Sequence, residues 1–208
     1  LLLLASSLIF AGPFILVGKV LAARYFLPSA TGLTIATSLL IDQWRTSWDK
    51  KYSLLLKLLV CLPILWSIPF LYYSWFDIWH IPFTHADREQ YQTEWSAGFG
   101  NREVTRLILE EAKHGKIVVA TEGYFGTLPD GILMDLHNVS VKNIEVYGIG
   151  QPIVSVPMSF VEKSSQASKA WIVVNSHRMK TQDDRLTKIY SFPRPYQGPS
   201  LDVYEFKQ

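Results

Sequence analysis

Cysteine is nearly absent: Cys61 is the only one in 208 residues. No disulfide framework can exist within the chain, so packing and hydrogen bonds must hold the fold, and the redox compartment is not readable from cysteine usage. Cys61 sits in an apolar run, where a buried, inert thiol is the expected role. Excess charge is lacking too. The net charge of +2 gives no bulk field to attract a nucleic acid. No Gly-x-Gly-x-x-Gly follows a strand pattern, and no nucleophile elbow surrounds Ser155, Ser159 or Ser176. His80, His85, His114, His137 and His177 have no metal-ligand spacing and read as surface or interface histidines. There is no internal repeat and no low-complexity tract. The nucleotide fingerprint, the serine-hydrolase elbow and the simple zinc site therefore give no starting point.

Long apolar runs, by contrast, are plentiful before residue 77 and scarce after it. A membrane-spanning helix needs about 20 mostly apolar residues. Leu1–Gly18, Tyr25–Ile41 and Ser53–Phe76 are the three candidates. The third carries Lys57, Pro63 and Pro69 and ends in Trp66, Tyr72, Tyr73, Trp75, Phe76 and Trp79, the composition of an interfacial aromatic belt. Arg45, Lys50 and Lys51 in the connector 42–52 place that loop in the cytoplasm by the positive-inside tendency. The expectation is an α-helical membrane segment of about three spans, residues 1–76, and a juxtamembrane link, 77–100. An extracytoplasmic α/β domain, 101–208, would follow, with the protein integral to the cell membrane. The chain starts inside an apolar run without Met, which reads as the C-terminal piece of a longer protein. Asn138-Val139-Ser140 matches a glycosylation sequon, a common chance match.

After residue 100 the periodicity changes. Asn101 is placed to cap a helix whose apolar face is Val104, Leu107, Ile108 and Ala112, ending at Gly115. Glu110, Glu111 and Lys113 form its solvated face. Lys116–Thr121 is a continuous apolar strand, the pattern of burial on both faces. Helices are expected at 130–137 and 158–167, and strands at 143–147, 170–175, 186–192 and 201–206. Alternating helices and strands imply an α/β layer structure with a largely parallel sheet, its last two strands forming an antiparallel hairpin at one edge.

Two groups of residues are candidates for function. Arg24 begins Arg24-Tyr25-Phe26-Leu27-Pro28, and a guanidinium there suits a phosphate, with Tyr25 beside it. The plainer alternative is a snorkelling anchor and a belt aromatic. In open α/β sheets ligands bind beyond the carboxyl ends of the strands. The first strand ends Thr121-Glu122-Gly123-Tyr124-Phe125-Gly126-Thr127. Glu122 can accept from sugar hydroxyls and Tyr124 can stack on a sugar face. Trp95, in Trp95-Ser96-Ala97-Gly98-Phe99-Gly100, is the third acceptor candidate. The glycines of both segments read first as turn residues.

The chain resembles the C-terminal end of a polytopic glycosyltransferase of the GT-C superfamily, nearest to bacterial relatives of the dolichyl-phosphate-mannose protein mannosyltransferases (glycosyltransferase family 39). Three features carry the likeness: Arg24-Tyr25-Phe26-Leu27-Pro28, the junction Asp87-Arg88-Glu89-Gln90-Tyr91 leading to Trp95–Gly100, and the α/β domain that follows. The resemblance implies a hexosyltransferase that moves a sugar from a polyprenyl-phosphate donor to a glycan, lipid or protein acceptor on the outer face. It implies Arg24 and Tyr25 at the donor phosphate and Trp95, Glu122 and Tyr124 near the acceptor. The catalytic acid of that family lies in an early outer loop, which this sequence does not contain. No catalytic residue can be carried over. A divalent metal would belong to the full-length enzyme, with no cofactor in this piece. The rival readings are a membrane-anchored α/β binding module without catalysis and the soluble domain of a transporter subunit.

Overall fold

The computed structural model describes residues 2–17, 26–47, 53–137, 139 and 143–207. They form two compact units, Leu1–Arg88 and Glu89–Gln208. The boundary falls inside the segment expected to be a link.

The first unit is helical: α1 (Leu2–Val17), α2 (Leu27–Ser47), α3 (Ser53–Phe76) and the single turn α4 (His85–Arg88). α1 packs on α2. The described side chains buried on these two helices are small: Ser7, Ser29 and Ala36. Small residues are what let helix backbones approach closely.

The expectation of about three membrane spans is not met. Among the described residues no helix is long and apolar enough to cross a membrane. α1 has 16 residues, about 24 Å at 1.5 Å per residue, short of a hydrocarbon core of about 30 Å. α2 is longer, but Thr31, Thr34, Thr37, Ser38, Asp42 and Gln43 interrupt its apolar character. α3 contains Lys57, Pro63 and Pro69. The assignments that depended on spans, an integral membrane protein with an extracytoplasmic domain, are corrected with it. Cys61 is exposed rather than buried.

The second unit is a five-stranded sheet in the order β2-β1-β3-β5-β4. Its strands are β1 (Ile117–Thr121), β2 (Ile144–Gly148), β3 (Lys169–Asn175), β4 (Leu186–Phe192) and β5 (Leu201–Phe206). β1 pairs parallel with β2 and with β3, whereas β5 pairs antiparallel with both β3 and β4. The sheet is therefore mixed, not largely parallel. A two-strand hairpin joins it through its second strand, which sets both of its own pairings antiparallel.

Strand side chains alternate between faces, and the two faces have separate cores. Ile117, Val119, Trp171, Val173, Leu201 and Val203 meet Val104 and Ile108 of α5 (Asn101–Glu111) and Ile132 of α6 (Thr127–Leu136). Val118, Ala120, Ile172 and Val174 meet Ile153 and Phe160, the latter on α7 (Met158–Ser164). Helices on both sides explain why β1 is buried along its whole length. Phe160 is fully buried, so truncating it to alanine should cost about 3–5 kcal/mol.

α5 starts differently from the sequence expectation. Its N-cap is Gly100, in the left-handed region at φ 92°, and no side chain caps it. A side chain on Gly100 would collide with Leu201 and Phe192. Asn101 instead donates from Nδ2 to the Thr127 carbonyl at 3.0 Å, tying the start of α5 to the start of α6.

Candidate functional site at the carboxyl ends of β1 and β3

β1 sends its connection to β2 on one side, and the chain then crosses over to β3 on the other. That reversal opens a crevice at the carboxyl ends of β1 and β3, the general ligand position in open α/β sheets. Glu122 follows the last residue of β1 and Asn175 ends β3.

Glu122 is buried and accepts three hydrogen bonds. Its Oε2 accepts from the Asn175 backbone N–H at 3.1 Å. Its Oε1 accepts from Asn175 Nδ2 and from Arg178 Nη1 at 3.0 Å. The Glu122–Arg178 pair is largely shielded from water, with side chains 3% and 14% exposed. A carboxylate at that depth stays charged only with such partners. Glu122, expected to accept hydroxyls from a sugar, has three of its acceptor positions filled by the protein's own donors.

Arg178 also lies over the Trp95 ring, 4.7 Å from its centroid. On the β1 side, a Cβ built on Gly126 would meet Trp95 Cζ3 at 3.7 Å. The indole therefore bridges from the turn after β3, Ser176–Arg178, to the loop after β1. Trp95 belongs to a 3-10 turn, Trp95–Ala97, preceded by a π-type turn, Glu89–Thr93. Ser96 Oγ donates to the Gln90 carbonyl at 2.8 Å and fastens the two turns together.

Arg194, from the β4–β5 connection, is buried at 5% exposure. Its Nη1 donates to the Pro199 carbonyl at 2.7 Å, and its Nε has no hydrogen-bond partner among the described residues. Burial lowers its pKa, while the nearby Glu122 and Glu94 act in the opposite sense. His177, exposed overall, is held below the usual histidine range by desolvation first and by Arg178 and Arg194, with Glu94 and Glu122 opposing. Glu94, Glu122, Arg178 and Arg194 thus lie near enough to act on one another, and their formal charges cancel.

The loop after β1 is pinned at two points. Gly123 N–H donates to the Gly150 carbonyl at 2.8 Å, and Gly126 N–H donates to Asp130 Oδ2 at 2.7 Å. Both glycines have positive φ, 72° and 96°. Between them Tyr124 and Phe125 stand 71% and 83% exposed.

Of the five residues singled out in the sequence, Trp95, Glu122 and Tyr124 come together around this crevice. Arg24 and Tyr25 lie outside the described residues, as do Asn138 and Ser140 of the sequon. Asn175, Arg178, Arg194 and Phe125 were not singled out. A carboxylate directly after a buried strand needs a donor from the neighbouring strand, and Asn175 at the end of β3 was the legible signal. No group of three or more His, Cys, Asp or Glu side chains among the described residues could hold a metal ion. Comparisons with family models, with curated proteins and with solved structures gave no match.

Proposed function

We propose that the α/β unit is a binding module for a glycan, presented to a sugar-transfer reaction as its acceptor. The observation that carries this is the pinned loop after β1 with Tyr124 and Phe125 exposed on it. A sugar ring offers a face of C–H groups that stacks on an aromatic ring, and a rigid platform loses little entropy on binding. The loop sits at the carboxyl edge of the parallel strands, where this architecture places ligands. The resemblance to polyprenyl-phosphate-sugar transferases supports a glycan over other stacking ligands and supplies the reaction class. It also makes the donor a polyprenyl-phosphate sugar, toward which no described residue is given a role.

The test is a titration of the chain with neutral oligosaccharides of mannose, glucose and N-acetylglucosamine, followed by NMR. Expected are shifts at residues 123–126 with millimolar affinity, about −4 kcal/mol. Tyr124→Ala and Phe125→Ala should each weaken binding at least about tenfold, the loss of roughly 1.4 kcal/mol. Shifts absent from that loop with all three series, from folded protein, would sink the reading.

A further inference from the structure

Around Glu122, two buried side chains hold hydrogen-bonding capacity that no described residue uses. Asn175 is 1% exposed. Its Nδ2 must face Glu122, because a carboxylate only accepts. Its Oδ1 is therefore turned away from Glu122, and no donor among the described residues reaches it. Arg194 Nε–H is the matching unused donor, on a side chain also more than nine-tenths buried. Leaving such groups unmet costs about 1–3 kcal/mol each, and native structures rarely leave them so without a reason. Both belong to the group of side chains around Glu122, at the ligand position of the fold.

We propose that the crevice between the carboxyl ends of β1 and β3 is a binding site for a neutral polyhydroxylated ligand, closed in this structure by Trp95. The ligand class follows from the charges. Glu94 and Glu122 balance Arg178 and Arg194, so the site asks for no net charge. One donor and one acceptor are spare, and a hydroxyl both gives and takes a hydrogen bond. An anion would meet the Asn175 oxygen unfavourably, and a cation would meet the Arg194 guanidinium. Trp95 is the movable part. It is held by a ring contact with Arg178, whereas Glu122, Asn175 and Arg178 are cross-linked to one another. Turning the indole out opens the mouth without breaking the buried ion pair. The inference deepens the glycan reading, adding an inner subsite to the aromatic loop.

The experiment is calorimetric titration of the chain with methyl α-mannoside, methyl β-glucoside and N-acetylglucosamine, with inorganic phosphate as the charged control. Trp95→Ala removes the shutter and leaves the ion pair intact. It should raise affinity for at least one neutral glycoside about tenfold, the removal of a closed state populated some ten to one. Arg194→Lys keeps the charge, lacks the Nε–H and should cancel that gain. Phe125→Ala should weaken longer oligosaccharides while leaving the gain intact, so the loop and the crevice fail separately. Unchanged affinity in Trp95→Ala, or a gain for phosphate instead of glycosides, would overturn the proposal. Should Trp95→Ala not fold, amide exchange on the native chain decides. Residues 93–97 should exchange faster than β1 and slow down when glycoside is added. Exchange at 93–97 that is unaffected by saturating glycoside counts against the site.

Discussion

Arg178→Met is the most demanding perturbation of the crevice. It removes the cation from a carboxylate whose side chain is 3% exposed and leaves Glu122 with only the two donors of Asn175. Methionine roughly matches the length of the lost side chain, so the change is chiefly electrostatic. Breaking a buried pair from one side costs about 3–5 kcal/mol. The remaining Asn175 donors and the residual access to water at Arg178 argue for the lower end, about 3 kcal/mol. With a urea m-value of about 2 kcal/mol/M, that shifts the midpoint down by about 1.5 M. The chain has two units, so the transition should be followed through amide exchange of β1 and β3. Glu122→Gln and the double variant complete a thermodynamic cycle. Glu122→Gln alone should also destabilise, and the double variant should recover much of the loss, giving a coupling of at least about 1.5 kcal/mol. A coupling below about 0.5 kcal/mol would refute the view that these side chains form one interlocked group.

Three further outcomes are expected. Burial works to raise the Asp202 carboxyl, but hydrogen bonds from Lys188, Ser191 and Ser200 outweigh it and hold the pKa low. The associated stability is present above the ordinary aspartate value of about 3.9 and lost as pH falls below it, so Asp202→Asn should flatten the acid limb of a stability–pH curve. Tyr147 is pushed up to about 12 by burial and then by Glu145. Its contribution is intact below about 10 and lost as pH rises through about 12, so Tyr147→Phe should make alkaline unfolding shallower in that window. Gly148→Ala would set a Cβ 1.8 Å from the Gly123 carbonyl oxygen. It should cost about 3 kcal/mol or more in thermal or urea unfolding and loosen the loop bearing Tyr124, because the obstacle is backbone.

Local pattern carried much of the α/β unit. The continuous apolar runs of β1 and β3 mark strands covered on both faces, and β4 and β5 begin and end where alternation predicts. Strand order was not legible. Nothing within Leu201–Phe206 states that it lies between β3 and β4 rather than outside them, since that is decided by which edge its apolar face completes. The α5 start was misread because Asn101 is a good cap by type, yet the chain needed a left-handed residue one place earlier. The membrane reading failed on a different ground. Counting apolar residues in 1–76 overlooked the helix length of α1 and the hydroxyls of α2, and took Pro63 and Pro69 of α3 as tolerable kinks. At the crevice, Glu122 and Trp95 were legible as single residues, but the side chains they touch were not. Their partners Asn175 and Arg178 sit 53 and 56 residues from Glu122, a distance no local pattern spans.

The placement of β5 has a consequence for the order of events during synthesis. β4 leaves the ribosome before β5, yet its neighbour in the finished sheet is β5 alone. Until β5 emerges, the free edge of β3 is open and β4 is the nearest strand able to occupy it. The two strands differ in a way that resolves this competition. β5 is buried over most of its length, whereas β4 is intermediate or exposed throughout. A β4 docked on β3 would cover the apolar face poorly and come away again, so the nascent chain has reason to wait. A substitution that makes β4 more apolar at the exposed Thr187, away from the donors of Asp202, would lengthen the life of that wrong pairing.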